Sequence, residues 1–184
     1  MEAPIPPVLA DWQVSRWFNT EGPLRLSDLR GRVVLIHAFQ MLCPGCVAHG
    51  LPQAARVHQR FGGEGVAVVG LHCVFEHHEA MGPQALQAFI HEYRLRFPIG
   101  VDVPSPDGPI PQTMAQWRLE GTPSTLLLDR QGRLRLHHFG ALDELHLGVA
   151  IGRLLAQPPA DRSDVNASTA DVAACADGAC TIGR

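Results

Sequence analysis

Two apolar runs, with a helical pattern between them, mark the centre of the predicted fold. Val33–Phe39 and Val66–His72 are continuous apolar runs rich in β-branched residues, which is typical of strands buried on both faces. From Cys46 to Phe61, apolar residues recur at helical spacing, interrupted by Pro52, and a proline inside a helix predicts a kink. The order strand, helix, strand predicts a βαβ unit.

Shorter elements fill the rest of the chain. The polar turn at residues 129–132 separates two apolar strands and predicts a hairpin. Proline, glycine and aspartate make residues 104–111 a predicted loop. The remaining predicted elements are a helical turn at 24–30, helices at 83–93, 112–117 and 143–155, and the two hairpin strands at 125–129 and 134–140.

Length and composition predict one compact domain with a tail. The chain has 184 residues, of which 46% are hydrophobic. A domain of about 150 residues buries about 70% of the surface that its unfolded chain exposes, so this core needs no disulfide staples. We expect one folded domain over residues 1–156. Residues 157–184 are rich in Ala, Asp, Ser and Pro and are predicted to be a disordered tail.

Charge and cysteine usage narrow the function classes. The net charge is −3 and no basic run occurs, so nucleic acid and anionic membranes are poor partners. No segment approaches the length of a membrane span, and the N-terminus lacks the basic and apolar regions of a secretory signal, so we expect a cytoplasmic protein. Five cysteines in a reducing compartment favour catalytic, redox or metal-binding roles over a disulfide framework.

The sequence Cys43-Pro-Gly-Cys46 stands at the start of the first long predicted helix. A thiolate is the reactive form of cysteine, and unpaired N–H groups and the helix dipole stabilise it at a helix N-terminus. We therefore expect Cys43 to attack and Cys46, one turn later and more buried, to resolve the mixed disulfide. Two other interpretations are a pair of structural core cysteines and a zinc site, although one such motif supplies only half of a tetrahedral site and no obvious second half occurs.

Four local matches carry a resemblance to a known family. They are residues 29–35 (LRGRVVL), Cys43–Cys46, the helix proline Pro52, and residues 121–129 (GTPSTLLLD). Over about residues 20–155 the chain resembles the TlpA-like thiol-disulfide oxidoreductases of the thioredoxin fold. The resemblance implies an α/β fold with a central mixed β-sheet flanked by helices. The chain departs from the family at Leu42, where tryptophan is usual, and at Pro-Gly between the cysteines, which leaves the reduction potential open.

The resemblance also implies a substrate-binding loop at Thr122 and Pro123. In the family a cis-proline faces the cysteine pair and presents the backbone of the preceding residue to an incoming substrate strand. Only about one X-Pro bond in twenty is cis in folded proteins, so the sequence alone favours a trans bond, and the resemblance reverses this expectation.

Two further residues are candidates for proton transfer. His37 lies six residues before Cys43, where thioredoxins carry a buried acid, and a neutral imidazole there could accept the proton of Cys46. The alternative is a core histidine with a satisfied hydrogen bond and no catalytic role. TlpA-like proteins can carry a glutamate near the end of the second strand that assists proton transfer, and Glu76 is the candidate here.

Two more groups of side chains invite a metal or redox interpretation. The first is the cluster that comprises His72, Cys73, Glu76, His77, His78 and Glu79. Adjacent residues point in different directions, so a solvated polar loop is favoured over a metal site. The second is the tail pair Cys175 and Cys180, which a flexible linker of about 20 residues, spanning about 25 Å, could bring to Cys43 as a redox relay. The alternative is two exposed thiols without a partner.

Together these features predict a thiol-disulfide oxidoreductase that exchanges disulfides with protein cysteines and needs no metal or other cofactor. The electron donor and the direction of net transfer do not follow from the sequence. A thiol peroxidase is one alternative, but the Pro-x-x-x-Thr-x-x-Cys motif of peroxiredoxins is absent, since residues 39–42 read FQML. The other alternative is a metal-binding carrier or chaperone that uses Cys43, Cys46 and a histidine.

Overall fold

A computed structural model describes residues 7–158 and shows a six-stranded mixed sheet in the order β1-β4-β3-β2-β5-β6, which confirms the predicted α/β architecture. The strands are β1 (Val14–Phe18), β2 (Val33–Phe39), β3 (Val66–His72), β4 (Ile99–Asp102), β5 (Ser124–Leu128) and β6 (Leu134–Phe139). The helices are α1 (Leu51–Phe61), α2 (Pro83–Glu92), α3 (Gln112–Gln116) and α4 (Glu144–Leu155). Short 3₁₀ turns occupy Leu26–Leu29 and Gly62–Glu64.

The predicted βαβ unit forms the centre of the sheet. β2 pairs in parallel with β3, with Val33 opposite Val66 and Phe39 opposite His72. Every residue of both strands is buried, as the continuous apolar runs predict. On its other side β2 pairs antiparallel with β5, which continues into β6 through the predicted hairpin.

Alternate residues of the central strands build two separate cores. On one face, Val33, Leu35 and Phe39 pack in a core that includes residues of α1, α2 and α4. On the other face, Val34 and Ile36 pack in a core with α3 and the segment before β1. This period of two is the ordinary consequence of strand geometry, and it decides which side of the sheet each polar residue of β2 occupies.

The edge strand β1 is an element that the sequence pattern does not reveal. It pairs antiparallel with β4. Three of its five residues are partly buried, and Ser15 and Arg16 are exposed. A cluster of three tryptophans holds this edge: Trp12 lies 5.3 Å from Trp17 and 6.2 Å from Trp117, measured between ring centroids. A short strand with few alternating apolar residues carries little periodic signal, so its long-range partners define it.

The irregularity predicted at Pro52 takes the form of a π-helical turn. The helix begins at Pro44, and the Leu51 N–H donates to the carbonyl of Cys46, five residues earlier, across the π-turn Cys46–Gly50. Pro52 has no N–H and cannot donate to the carbonyl four residues before it, so the regular bonding pattern is interrupted in this turn. The cysteine motif therefore stands on a widened first turn rather than on a regular α-helix.

The other boundaries differ from the predicted ones by one or two residues, as helix and strand ends commonly do. Between residues 7 and 158, none of the helices is both long enough and apolar enough to cross a lipid bilayer. The predicted tail, residues 157–184, lies almost entirely outside the described residues. Its structure, the domain boundary at 156 and the cytoplasmic location stay predictions.

Candidate redox site

Three chain segments meet at one edge of the sheet and form the site. The segment after β2 carries Cys43, the loop before β5 carries Thr122, and the loop after β3 carries Glu76. All three line one groove. The parallel pairing of β2 with β3 and the antiparallel pairing of β2 with β5 bring these segments to the same edge.

Cys43 occupies the position immediately before the helix. Its side chain is partly exposed, and its carbonyl accepts the Val47 N–H at 3.0 Å, the first bond of the helix. Its Sγ accepts the N–H of Cys46 at 3.3 Å and lies 3.5 Å from the carbonyl oxygen of Thr122, to which the thiol donates. A backbone N–H directed at sulfur stabilises a thiolate, so this position suits a nucleophile.

Cys46 differs from Cys43 in its surroundings. Its side chain is fully buried. Burial, together with the hydrogen bond to Cys43, raises its pKa to about 12. Cys46 therefore stays a neutral thiol at neutral pH, and the two cysteines have the separate environments that the sequence analysis predicts.

The loop opposite the cysteines has the predicted geometry. The Thr122–Pro123 peptide bond is cis. A Cβ placed on Gly45 would lie 3.3 Å from Cδ of Pro123, so Gly45, the residue directly before Cys46, packs against this proline. A Cβ on Gly121 would lie 2.8 Å from the Phe139 ring, so β6 contributes an aromatic wall beside the same loop.

His37 is buried on the same sheet face as α1. Its Nδ1 lies 3.5 Å from the hydroxyl of Thr125, its ring stacks on Phe39, and its Nε2 has no hydrogen-bond partner. The π-turn packs over the ring, since a Cβ on Gly50 would lie 2.2 Å from Cε1 and 2.4 Å from Nε2. Burial lowers the pKa of His37 to about 4, so the imidazole is neutral. Among the described residues, no hydrogen bond joins His37 to Cys46.

Glu76 is exposed and lines the same groove as Cys43. A residue that the sequence analysis missed holds it there: the buried side chain of Gln40 accepts the N–H of Phe75 at 3.1 Å and that of Glu76 at 3.3 Å through Oε1. The available signal was a glutamine directly between a buried strand and the cysteine motif, because a buried amide needs polar partners.

The polar cluster after β3 is divided by the fold. His72 is a fully buried strand residue whose Nε2 accepts the Met41 N–H at 3.4 Å, and burial lowers its pKa to about 4. Cys73 is also fully buried, but it belongs to the core on the opposite face, and burial raises its pKa well above the ordinary value. The interpretation of the whole cluster as a solvated loop is therefore wrong for these two residues. Within residues 7–158, no group of three or more His, Cys, Asp or Glu side chains is placed to hold a metal ion.

The tail pair Cys175 and Cys180 lies outside the described residues, so a redox relay through these thiols stays a prediction.

Comparison with known proteins assigns the family. The model of the AhpC/TSA family matches residues 9–137, which is more than half of the chain. The chain belongs to the AhpC/TSA family. Among solved structures, the thioredoxin-like superfamily protein SPOA0173 is 53% identical with a TM-score of 0.80, over 85% of this chain and 99% of that one. A thiol-disulfide isomerase from Corynebacterium glutamicum is 49% identical with a TM-score of 0.79, over 83% of this chain and 98% of that one.

These likenesses confirm the predicted thioredoxin-like fold for this AhpC/TSA-family protein, while the narrower likeness to TlpA-like proteins stays a prediction. Among curated proteins, Protein DipZ of Mycobacterium tuberculosis is 28% identical over 132 residues, which are 71% of this chain and 18% of DipZ. The chain therefore spans about a fifth of the length of the curated relatives that it matches first.

The buried histidines predict a loss of stability in mild acid. His37 and His72 each have a pKa lowered from 6.5 to about 4 in the folded protein. Below pH 6.5 the unfolded chain binds protons that the folded chain does not, so the free energy of unfolding falls as the pH falls from 6.5 toward 4. Between pH 6 and pH 5 we expect a loss of about 1 kcal/mol for each imidazole, measured by urea unfolding. If a His37→Asn/His72→Asn variant loses as much free energy of unfolding between pH 6 and pH 5 as the unmodified protein, the two histidines are not the cause of the pH dependence.

The close packing of Gly50 on His37 predicts a specific intolerance to a side chain. Gly50→Ala should lower the free energy of unfolding by about 1–3 kcal/mol, because the methyl group must displace a buried ring. Gly148→Ala in α4 is the matched control: nothing lies within 4 Å of its Cβ, so alanine should stabilise that helix by up to about 1 kcal/mol. The Gly50→Ala/His37→Ala variant should lose less free energy of unfolding than the sum of the losses of the two single variants. Strictly additive losses would show that the alanine methyl group and the His37 ring do not overlap.

Proposed function

We propose that this protein is a thiol-disulfide oxidoreductase that exchanges disulfides with protein cysteines through Cys43 and Cys46. The observation that carries the proposal is the difference between the two thiols. Cys43 is partly exposed with a backbone N–H directed at its sulfur, whereas Cys46 is buried with its pKa raised to about 12. Cys43 is therefore suited to attack the substrate, and Cys46 is suited to resolve the mixed disulfide.

The reaction uses the two cysteines in sequence. The Cys43 thiolate attacks one sulfur of a substrate disulfide, forming a mixed disulfide while the other substrate sulfur leaves as a thiolate. Cys46 then attacks the sulfur of Cys43, which releases the second substrate thiolate and leaves the Cys43–Cys46 disulfide. Two electrons pass from the dithiol to the substrate, and the reverse sequence oxidises a substrate dithiol. An electron donor or acceptor must reset the pair.

The loop at Thr122 and Pro123 supports a protein substrate. The Thr122 carbonyl lies 3.5 Å from the Cys43 sulfur, and the groove beside it is open along the surface. An extended substrate segment that pairs with this backbone would bring its own sulfur to Cys43, because main-chain hydrogen bonds along an extended segment fix its register. The similarity to a thiol-disulfide isomerase supports the same substrate class.

The mixed disulfide provides the test of this assignment. The Cys46→Ser protein should form a stable mixed disulfide with a protein that contains disulfides, such as insulin. The link should run through Cys43 and should persist, since the resolving thiol is missing. Cys43→Ser should form none and should lose disulfide exchange to the background level. Mass spectrometry of trypsin-digested complexes identifies the linked cysteine. A trapped complex through Cys46 in the Cys43→Ser protein would reverse the two roles.

The family match also supports a second candidate, a thiol peroxidase. In that reaction Cys43 would reduce a peroxide and become a sulfenic acid, which Cys46 would resolve to the same disulfide. The rate of oxidation of the reduced protein distinguishes the two functions. If hydrogen peroxide oxidises the dithiol much faster than insulin disulfides do, the peroxidase is favoured.

We further propose that His37 receives the proton of Cys46 during resolution. The two pKa values, about 12 for Cys46 and about 4 for His37, keep this proton on sulfur in the resting dithiol. Transfer therefore belongs to the step in which Cys46 forms its new bond and its thiol becomes acidic. The unpartnered Nε2 of His37 against Gly50, in the helical turn that begins with Cys46, supports this route. Glu76, which lines the same groove as Cys43, is proposed to assist proton transfer to the cysteines.

The His37 proposal predicts a selective kinetic defect. At pH 7, His37→Ala should slow resolution at least about tenfold, the lower range for a lost proton acceptor, and leave the first attack nearly unchanged. Stopped-flow measurements with a chromogenic disulfide separate the two steps. His58→Ala is the matched control, because His58 is a histidine of α1 that packs on Phe97 at 6.0 Å rather than at the site. Equal slowing of both steps in the His37 variant would leave His37 with a structural role only.

A further inference from the structure

The groove beside Cys43 has two exposed apolar side chains in its walls. Leu42, directly before the nucleophile, is 55% exposed, and Phe139, on the edge strand β6, is 48% exposed. Phe75 and the buried Met81 continue the apolar lining on the side of the β3 loop. Large exposed apolar side chains around a reactive thiol indicate contact with a partner, because such surface is seldom left uncovered without a use.

The polar part of the same groove carries one sign of charge. Two glutamates, Glu76 and Glu120, line it from opposite loops, and both are exposed. Among residues 7–158, no arginine lines this groove, and the whole chain contains no lysine. Two histidines lie near these carboxylates: His77 also lines the groove, and His137 interacts with Glu120. Burial lowers the pKa of His137, although the charge of Glu120 opposes that shift. With two carboxylates and, among the described residues, no arginine or lysine in its lining, the groove is negatively charged at pH 8.

Specific contacts fix the two loops that carry these glutamates. Glu76 follows the loop that Gln40 anchors through two N–H groups, at 3.1 Å from Phe75 and 3.3 Å from Glu76. Glu120 directly precedes Gly121, whose missing side chain lets Phe139 pack on the loop that presents Thr122. Both glutamates therefore lie in the groove that Cys43 lines, one on the loop after β3 and one on the loop before β5.

We propose that this groove selects protein segments in which the target cysteine is flanked by apolar and basic residues, and discriminates against acidic flanks. This inference rests on the proposed function and names its substrate class. Cationic side chains next to the substrate sulfur would face Glu76 and Glu120, while apolar neighbours would cover Leu42 and Phe139. Carboxylates in the same places would face like charges, which suppresses binding of the wrong partner.

A single-step exchange measures this preference directly. Peptides whose cysteine is bound to 2-nitro-5-thiobenzoate are mixed with the full chain carrying Cys46→Ser, Cys175→Ser and Cys180→Ser. The Cys43 thiolate attacks the peptide sulfur, the new Cys43–peptide disulfide forms, and the electron pair of the broken bond leaves with the coloured aromatic thiolate, whose low pKa makes it the better leaving group. The peptides share one apolar sequence and differ only in two flanking positions, which are lysine, glutamine or glutamate.

We expect the lysine peptide to react at least about fivefold faster than the glutamate peptide at pH 8 and 0.05 M salt, since each exposed ion pair contributes modestly. The ratio should shrink toward one near 1 M salt, where the screening length falls to about 3 Å. Glu120→Gln should reduce the ratio, and Glu76→Gln/Glu120→Gln should abolish it. The control Glu21→Gln/Glu92→Gln removes the same charge from exposed residues outside this lining and should keep the ratio.

The absence of lysine from the chain permits a second readout. After the lysine peptide is joined to Cys43, a carbodiimide can link its side-chain amines only to carboxylates, and the protein supplies no lysine amine to compete. Mass spectrometry should find the amide at Glu76 or Glu120. Equal rates for all peptides, or amides only at other carboxylates, would overturn the charge selection while leaving the proposed function intact. A failure of every peptide to attach to Cys43 would instead overturn the proposed function itself.

Discussion

The whole site depends on the double pairing of β2. This strand is bonded in parallel to β3 and antiparallel to β5, so the segment after β2, the segment after β3 and the segment before β5 must emerge at one edge. Cys43, the loop that carries Glu76 and the cis-proline loop come from these three segments. No local interaction between Cys43 and Thr122 could bring them together, because they are 79 residues apart in the chain and meet through the sheet.

Differences in burial give the two cysteines and His37 different chemical properties. The helix that begins at Pro44 leaves Cys43 at its open end and carries Cys46 into the core, and the same desolvation that raises the pKa of Cys46 lowers that of His37. All of these buried groups are thus neutral at rest. In the proposed reaction, Cys43 is the sulfur that attacks first, and Cys46 reacts only after a mixed disulfide has formed at Cys43.

Glycines allow the unusually close approaches around the site. Gly45 admits Pro123, Gly50 admits the ring of His37, and Gly121 admits Phe139, at distances where a Cβ would touch or overlap the neighbouring side chain. These contacts join the cysteine helix, the central strand and the edge strand into one surface. The groove that results combines a partly exposed thiol, apolar walls and two carboxylates, and this combination is what gives the site a preference among substrates.

The sequence alone predicted the βαβ core and the hairpin, because each rests on local periodicity or on a turn signal. The resemblance to a family supplied the cis-proline loop, and the roles of Cys43 and Cys46 stay predictions. The sequence did not predict β1, the burial of Cys73, or the part played by Gln40 and Phe139. Those features depend on contacts between residues far apart in the chain, such as the pairing of β1 with β4 and the bonds from Gln40 to the loop after β3, which the pattern of one short segment does not specify. The tertiary structure decided them because only packing determines whether a polar side chain at a strand end faces solvent, a core or a groove.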